Sequence, residues 1–273
     1  VALADAVRLT SNSRTSTFKL HIRESADITE RRVSPKRVFR ETAERNIKHL
    51  RSMCSDLAER GWLTHGRYQR DIQISLRDAT KLRHEVGVQP GYDLLLSSPP
   101  YGDNKSTVPY GQYSYLPLNW IDGTDIIDGW DDSWLRTTHE IDTRSLGGVI
   151  GRGQPDTEEL CALSPAFQQV DAALRSQPPD RIKKVAAFCR DLNNSLGPIL
   201  SELRDEAYLI WTVGNRRVGG IPVPLNCILA DLLVARGCRH VADIARSIPS
   251  KRMAVKNSVT DTMRAETVLV YRK

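Results

Sequence analysis

Apolar residues recur at helical spacing in some stretches of this chain and at strand spacing in others, and the alternation between the two outlines a mixed α/β fold. Val1, Leu3, Ala6, Val7 and Leu9 predict a short helix that closes in the polar run 10–17. Ser34-Pro35 opens a longer one with proline at its first turn. Val38, Phe39, Ala43, Ile47, Leu50, Met53, Cys54 and Leu57 then repeat every three or four residues up to a stop at Gly61. The run 72–76 alternates as a half-buried strand, and residues 81–87 leave room only for a brief helix or turn. Leu94 to Leu96 are too few for a helix and are flanked by breakers, which predicts a strand covered on both faces. Two strands in this order, with a short connection, suggest parallel neighbours. Further on, Ile182, Val185, Ala186, Cys189, Leu192, Leu196, Ile199, Leu200 and Leu203 mark a long amphipathic helix leading into an apolar strand at 207–213. A glycine-rich turn at 214–220 follows. Pro224 starts another helix, carrying Ile228, Leu229, Leu232 and Leu233 and stopped at Gly237. Two closing strands, 241–248 and 267–271, are joined by a basic stretch at 249–264.

Residues 101–166 break this rhythm. They are dense in Gly, Asp, Pro and aromatics, among them Tyr110, Tyr113, Tyr115, Trp120, Trp130 and Trp134, with little periodicity. A connection of that length without pattern is usually functional or mobile, so 102–166 is expected to be an inserted, loop-rich lobe. Its aromatics, with Lys105, Arg136, Arg144 and Arg152, suit either stacking on nucleic acid or a small satellite core. The glycine run 147–153 has no strand leading into it, and Pro155 interrupts any helix after it, so it reads as a flexible loop.

At 273 residues, 40% hydrophobic and 26% charged, the chain can bury a full core as one large α/β domain with insertions. No stretch approaches the roughly 20 apolar residues that span a bilayer, and the N-terminus lacks a signal peptide's hydrophobic block. Five cysteines, Cys54, Cys161, Cys189, Cys227 and Cys238, are scattered without metal-type spacing, which points to a reducing, cytoplasmic setting and against zinc or disulfides. The net charge of +6 fits a polyanionic partner without demanding one. The Arg- and Lys-rich face of the second helix likewise suits plain solvation or a nucleic-acid backbone. Because the chain opens Val1-Ala2-Leu3 with no initiator Met, a fragment or trimmed chain is expected.

The candidate chemistry lies where the apolar run at 94–96 ends in Ser97-Ser98-Pro99-Pro100-Tyr101. Two prolines fix φ and donate no backbone hydrogen bond, so the carbonyls beside them are free to accept, and Tyr101 adds a flat apolar surface with a polar tip. Such a corner could hold a planar ring that bears an amine. Ser98-Pro99-Pro100-Tyr101 resembles the Ser/Asp/Asn-Pro-Pro-Tyr motif of S-adenosylmethionine-dependent amino-group DNA methyltransferases, in the Ser form usual for cytosine N4. The resemblance implies that Ser98 and the Pro99 carbonyl accept from the exocyclic amine of a flipped base while Tyr101 stacks on it, Pro100 stiffening the loop. Flipping is required because the amine is out of reach inside a stacked duplex. The stretch 211–220 and the run 263–270 are similar to late blocks of DNA-modifying members. The helix, strand, glycine-arginine turn, helix and paired strands after residue 182 resemble the second half of a Rossmann-like methyltransferase sheet.

That resemblance implies S-adenosyl-L-methionine as cofactor, double-stranded DNA as substrate, and a restriction endonuclease or complementary subunit as possible partner. Residues 1–101 and 167–273 would be the two parts of the methyltransferase domain, with 102–166 as target-recognition lobe. Asp78, with Ala79, stands where the family carries an acid near the cofactor's adenine, although a turn aspartate explains Asp78 as well. Asn215, Arg216 and Arg217 could grip phosphate or base edges, together with Lys105 and Tyr110. The family's opening strand, glycine-rich turn and acid-ended second strand are not visible before residue 72, so the 273-residue chain is expected to bind the cofactor poorly by itself. Adenine N6, guanine N2 in RNA, and a non-catalytic DNA-binding or specificity subunit remain open alternatives.

Overall fold

A computed structural model describes the whole chain except residues 17, 75–76, 83–90, 104–106, 127–129, 151–153 and 249–264, and the side chains of 154–156. The chain divides into two compact units, 1–76 with 111–138, and 77–110 with 139–273. The expected lobe 102–166 is thereby shared between them.

The first unit is helical. It holds α1 (Ala2–Thr10), α2 (Ser25–Glu30), α3 (Pro35–Glu59), the two-residue strands β1 (Leu63–Thr64) and β2 (Arg67–Tyr68), and most of α4 (Tyr110–Leu118). The Ser-Pro start of α3 works as its sequence suggests: Ser34 accepts from the Arg37 amide at 3.3 Å, which satisfies an N–H that has no partner within the helix. Arg31 closes α1 by donating to the carbonyls of Thr10 and Ser11, at 3.2 and 2.6 Å, and of Leu9. Helices α1 and α3 pack together. The apolar stripe of α3 nevertheless stays largely exposed at Phe39, Ile47, Leu50 and Met53. Within the expected strand at 72–76, residues 72–74 are irregular, with Ile72 and Ile74 exposed, and 75–76 lie outside the described residues. Among the described residues, 72–74 pair with no strand, and alternation without a paired neighbour does not make one.

The second unit carries the sheet. Its strands are β3 (Tyr92–Ser97), β4 (Leu203–Val213), β7 (Arg239–Ser247) and β8 (Ala265–Arg272), in the order β3-β4-β8-β7. β3 runs parallel to β4, and β8 is antiparallel to both of its neighbours. Among the described residues the parallel neighbour of β3 is β4, which comes more than a hundred residues later in the chain. One face is covered by α7 (Pro165–Leu174), α8 (Pro179–Ser201) and α9 (Leu225–Val234). Phe167, Leu174, Phe188, Leu192, Leu229 and Leu232 form a buried core there with Leu209, Trp211, Val213 and Leu269 of the sheet. This parallel-then-antiparallel order is consistent with part of a Rossmann-like sheet. The expectation that β3 is covered on both faces fails: Leu95 packs on the core, whereas Leu94 and Leu96 are exposed at 52% and 71%. With a two-residue period they share the face of Tyr208 and Ile210, opposite the helices.

The stretch expected to lack pattern contains α5 (Glu140–Thr143) and α6 (Gln154–Leu163) as well as the beginning of α7. Pro155 does not interrupt α6, because it stands in the first turn, where a missing N–H costs nothing. Of the glycine loop expected to be flexible, residues 151–153 lie outside the described residues; in its first part the Gly147 amide donates to Asp191 of α8 at 2.9 Å, and Arg190 reaches the Val149 carbonyl at 3.3 Å. At the start of α7, buried Ser164 accepts from the Phe167 amide at 3.0 Å and donates to Asp231 of α9 at 2.7 Å. Losing that cap in Ser164→Ala is expected to cost about 1–2 kcal/mol, read as a lower urea midpoint at unchanged slope. After β4, the glycine-rich turn is a small hairpin of β5 (Arg216–Val218) and β6 (Ile221–Val223). Its corner is Gly219-Gly220, at φ +59° and +84°, a conformation that side chains resist.

Candidate active site

Parallel pairing places the carboxyl ends of β3 and β4 at one edge of the sheet, and the antiparallel pairs bring the amino end of β8 and the carboxyl end of β7 to the same edge. Ser97, Trp211 and Leu269 are neighbours across three strands, and Arg246 faces Glu266 across β7 and β8. The Ser98-Pro99-Pro100-Tyr101 loop leaves β3 at this edge, where open sheets with parallel strands carry their ligands. Ser98 is exposed, Pro99 is buried, and Pro100 and Tyr101 are half-buried. The tetrapeptide therefore anchors itself through its prolines and ring while its first side chain faces outward.

Tyr101 is fixed at both ends. Its ring packs against the core. Its hydroxyl donates to Glu266 Oε1 at 2.6 Å. Arg246 Nε lies 3.6 Å from the other Glu266 oxygen. Burial first, and the Glu266 hydrogen bond second, push the Tyr101 phenol up to about 12. A pKa raised by folding favours the fold below the ordinary value near 10 and loses that contribution as pH climbs through about 12. At neutral pH Tyr101 is consequently a donor.

Beyond Tyr101, Gly102 and Asp103 are buried, and Asp103 Oδ2 meets Arg216 Nη1 at 3.2 Å. A side chain at Gly102 would place its Cβ 2.2 Å from that nitrogen, so the guanidinium lies directly over the loop. The other residues expected to touch nucleic acid have internal roles as well. Asn215 accepts from the Asn226 amide at 3.2 Å, in the first turn of α9. Arg217 donates to the Gly220 carbonyl at 2.9 Å yet remains exposed, as does Tyr110 at the start of α4. Lys105 lies outside the described residues.

Asp78 caps the short 3-10 turn Ala79–Lys81: one oxygen accepts from both the amide and the hydroxyl of Thr80, at 2.9 and 2.8 Å, and the other is 3.5 Å from Lys81. Those Thr80 hydrogen bonds hold its carboxyl below the usual range. Asp78 and Ala79 are both exposed. Sequence reasoning overlooked Asp103, Arg246 and Glu266. The available signals were an acid two residues past Pro-Pro-Tyr and an acid at the head of the last apolar run.

A mixed sheet with a proline-stiffened loop and a tethered aromatic at its edge sets the frame for comparison. No family model matches the chain. Over 284 residues it is 30% identical to the type II methyltransferase M.MvaI of Kocuria varians, an alignment that takes in 99% of this chain and 59% of that protein. The chain thus spans less than two thirds of that relative's length. Among solved structures it resembles TTHA0409 of Thermus thermophilus, described as a candidate DNA modification methylase. In the complex with S-adenosyl-L-methionine the identity is 22%, covering 34% of this chain and 39% of the other, with a TM-score of 0.24. In the selenomethionine derivative the identity is 18%, the coverage 43% and 50%, and the TM-score 0.25. Superpositions at that level do not define a shared fold.

Proposed function

We propose that this chain carries the amine-binding part of a DNA methyltransferase that uses S-adenosyl-L-methionine, and that the amine it holds is cytosine N4. The observation that carries the reading is the exposed Ser98 at the carboxyl end of β3, on a loop whose prolines and tyrosine are otherwise packed down. The 30% identity to a type II methyltransferase across nearly the whole chain supports it.

In this reading Ser98 Oγ and the Pro99 carbonyl each accept one amine hydrogen, which leaves the nitrogen lone pair perpendicular to them and aimed at the incoming carbon. Tyr101, pinned through its hydroxyl, gives the base a fixed plane against which to lie. When bound, the cofactor supplies a methyl group on a cationic sulfur, an electrophile that needs no acid to activate it. The nitrogen forms the new N–C bond, sulfur keeps the electron pair of the broken S–C bond, and the nitrogen sheds one proton to water. The chain's own contribution is orientation, which accounts for much of the barrier in a bimolecular transfer. Asp78, with one oxygen turned toward Thr80, and Ala79 fit the adenine end of the cofactor. Among the described residues none is assigned to the ribose or methionine.

DNA from cells producing the protein, digested to nucleosides and measured by mass spectrometry, is expected to contain N4-methyldeoxycytidine. N6-methyldeoxyadenosine as the sole product would replace the base assignment. No methylated nucleoside in DNA would favour a DNA-binding subunit without transfer activity.

A further inference from the structure

Directly after α3 the chain forms a small ribbon that takes no part in the buried core. Gly61, at φ +70°, ends the helix: its amide donates to the Ala58 carbonyl at 2.9 Å, and the Trp62 amide donates to the Leu57 carbonyl at 2.8 Å. The chain is thereby turned into β1 at a fixed angle. β1 and β2 pair antiparallel, Leu63 with Tyr68 and Thr64 with Arg67, around the turn His65-Gly66, whose φ values of 49° and 74° suit the twist of a tight hairpin. Strands this short do not hold together by themselves. Here β1 packs on the end of α3, while every residue from 60 to 70 except half-buried Leu63 is exposed.

The ribbon carries charge of one sign. Between Glu59 and Asp71 stand Arg60, Arg67 and Arg70, and no acid. A surface that is merely solvated mixes both signs, as α3 does with Arg37 and Glu41, 3.8 Å apart. On the ribbon, Arg60 lies 5.6 Å over the Trp62 ring, and among the described residues the side chains of Arg67 and Arg70 form no hydrogen bond or ion pair. Alternation along the strands puts Trp62, Thr64, Arg67 and Gln69 on one side and Leu63 and Tyr68 on the other. One side is therefore cationic, aromatic and open to a partner.

We propose that the hairpin 62–69 is a DNA-contacting ribbon that enters the major groove of a duplex, with Arg67 and Arg70 against the phosphates that border it. The choice of duplex DNA as partner rests on the methyltransferase reading. Charge complementarity and shape carry the placement: unpaired guanidinium groups match a phosphate backbone, and a major groove about 12 Å wide admits a two-stranded ribbon. The deep, narrow major groove of an A-form RNA helix does not.

Fluorescence anisotropy of a labelled DNA duplex, titrated with the full chain at several salt concentrations and without cofactor, tests this. Each phosphate contact contributes about 0.9 to the slope of log affinity against log salt, so Arg67→Gln with Arg70→Gln should make that slope shallower by about 1 to 2 and weaken binding about 10-fold. Lys183→Gln with Lys184→Gln removes the same charge from an exposed part of α8 and should leave the slope within about 0.5 of wild type. Equal changes in the two pairs would reduce the effect to net charge and overturn the proposal. Gly66→Val alters no charge, but a β-branched residue resists the positive φ that the turn needs, so binding should weaken by about the same factor as in the arginine pair. Unchanged affinity in that variant would overturn the role of the ribbon's shape. A wild-type chain that binds no DNA duplex, or binds an RNA duplex of the same sequence as tightly, would also overturn the proposal. If the expected slopes are found in a protein that methylates no nucleoside, the methyltransferase reading fails and the ribbon stands as part of a DNA-binding subunit. The two failures are thereby told apart.

Discussion

Ser98→Ala is expected to lower kcat for methyl transfer about 100- to 1,000-fold, the cost typical of removing one preorganised hydrogen-bonding group from a reacting centre. The KM for DNA should change little. Contacts that hold the duplex act equally before and during reaction, whereas an acceptor for the amine matters most as the nitrogen gives up its lone pair and its N–H bonds become acidic. Because Ser98 is exposed, the substitution opens no cavity, and the melting temperature should stay close to that of the wild type. Transfer of a tritiated methyl group into DNA, measured against substrate concentration, separates the parameters. Unchanged kcat would remove Ser98 from the reaction and leave the proline corner as architecture alone. A loss expressed only in KM would make Ser98 a DNA contact.

Elements whose apolar pattern is local and long were legible in the sequence. Helices α3, α8 and α9 begin and end close to where spacing, Pro and Gly place them, because each buries a face that its own residues define, and β4 ends at Val213 as expected but begins at Leu203, which apolar spacing assigns to the helix before it. β3 was legible as a strand but not in its surroundings: three leucines in a row do not say which of them a neighbouring layer covers, and of the three only Leu95 packs against the core. α7 was missed although Ser164-Pro165 repeats the Ser34-Pro35 signal that marks α3, because the aromatic and glycine content around it hides a helix start. The candidate site divides in the same way. Ser98 to Tyr101 form one contiguous word and could be read directly. Glu266 lies 165 residues from Tyr101, and only the antiparallel placement of β8 against β4 brings the two together. Long-range register of that kind has no local signature. The glycine-arginine turn was recognised for its backbone freedom, but its arginine is directed inward to Asp103, which spacing cannot reveal.

That inward pair should carry the largest stability effect at the site. Asp103→Ala is expected to cost roughly 3–5 kcal/mol, the usual cost of breaking a buried ion pair from one side. Asp103 is nearly inaccessible and the Arg216 side chain is 14% exposed, so water cannot readily replace the carboxylate that the substitution removes. Spread over a unit of this size, the loss corresponds to a fall in melting temperature of roughly 6–20 °C, measurable by calorimetry. Exchanging both partners for apolar residues, as in Asp103→Leu with Arg216→Met, should recover most of it, because neither charge of this pair is then left facing an apolar replacement. A loss below about 1 kcal/mol in the single variant would place the pair in the category of solvated surface bridges. Because Asp103 follows Tyr101 by two residues, and Arg216 follows the end of β4 by three, the pair ties the Ser98–Tyr101 loop to the hairpin that leaves the strand beside it. Asp103→Ala should therefore lower methyl transfer even well below its melting temperature, whereas Ser98→Ala lowers transfer in a protein that melts normally. The contrast between the two variants separates what holds the corner in place from what the corner does.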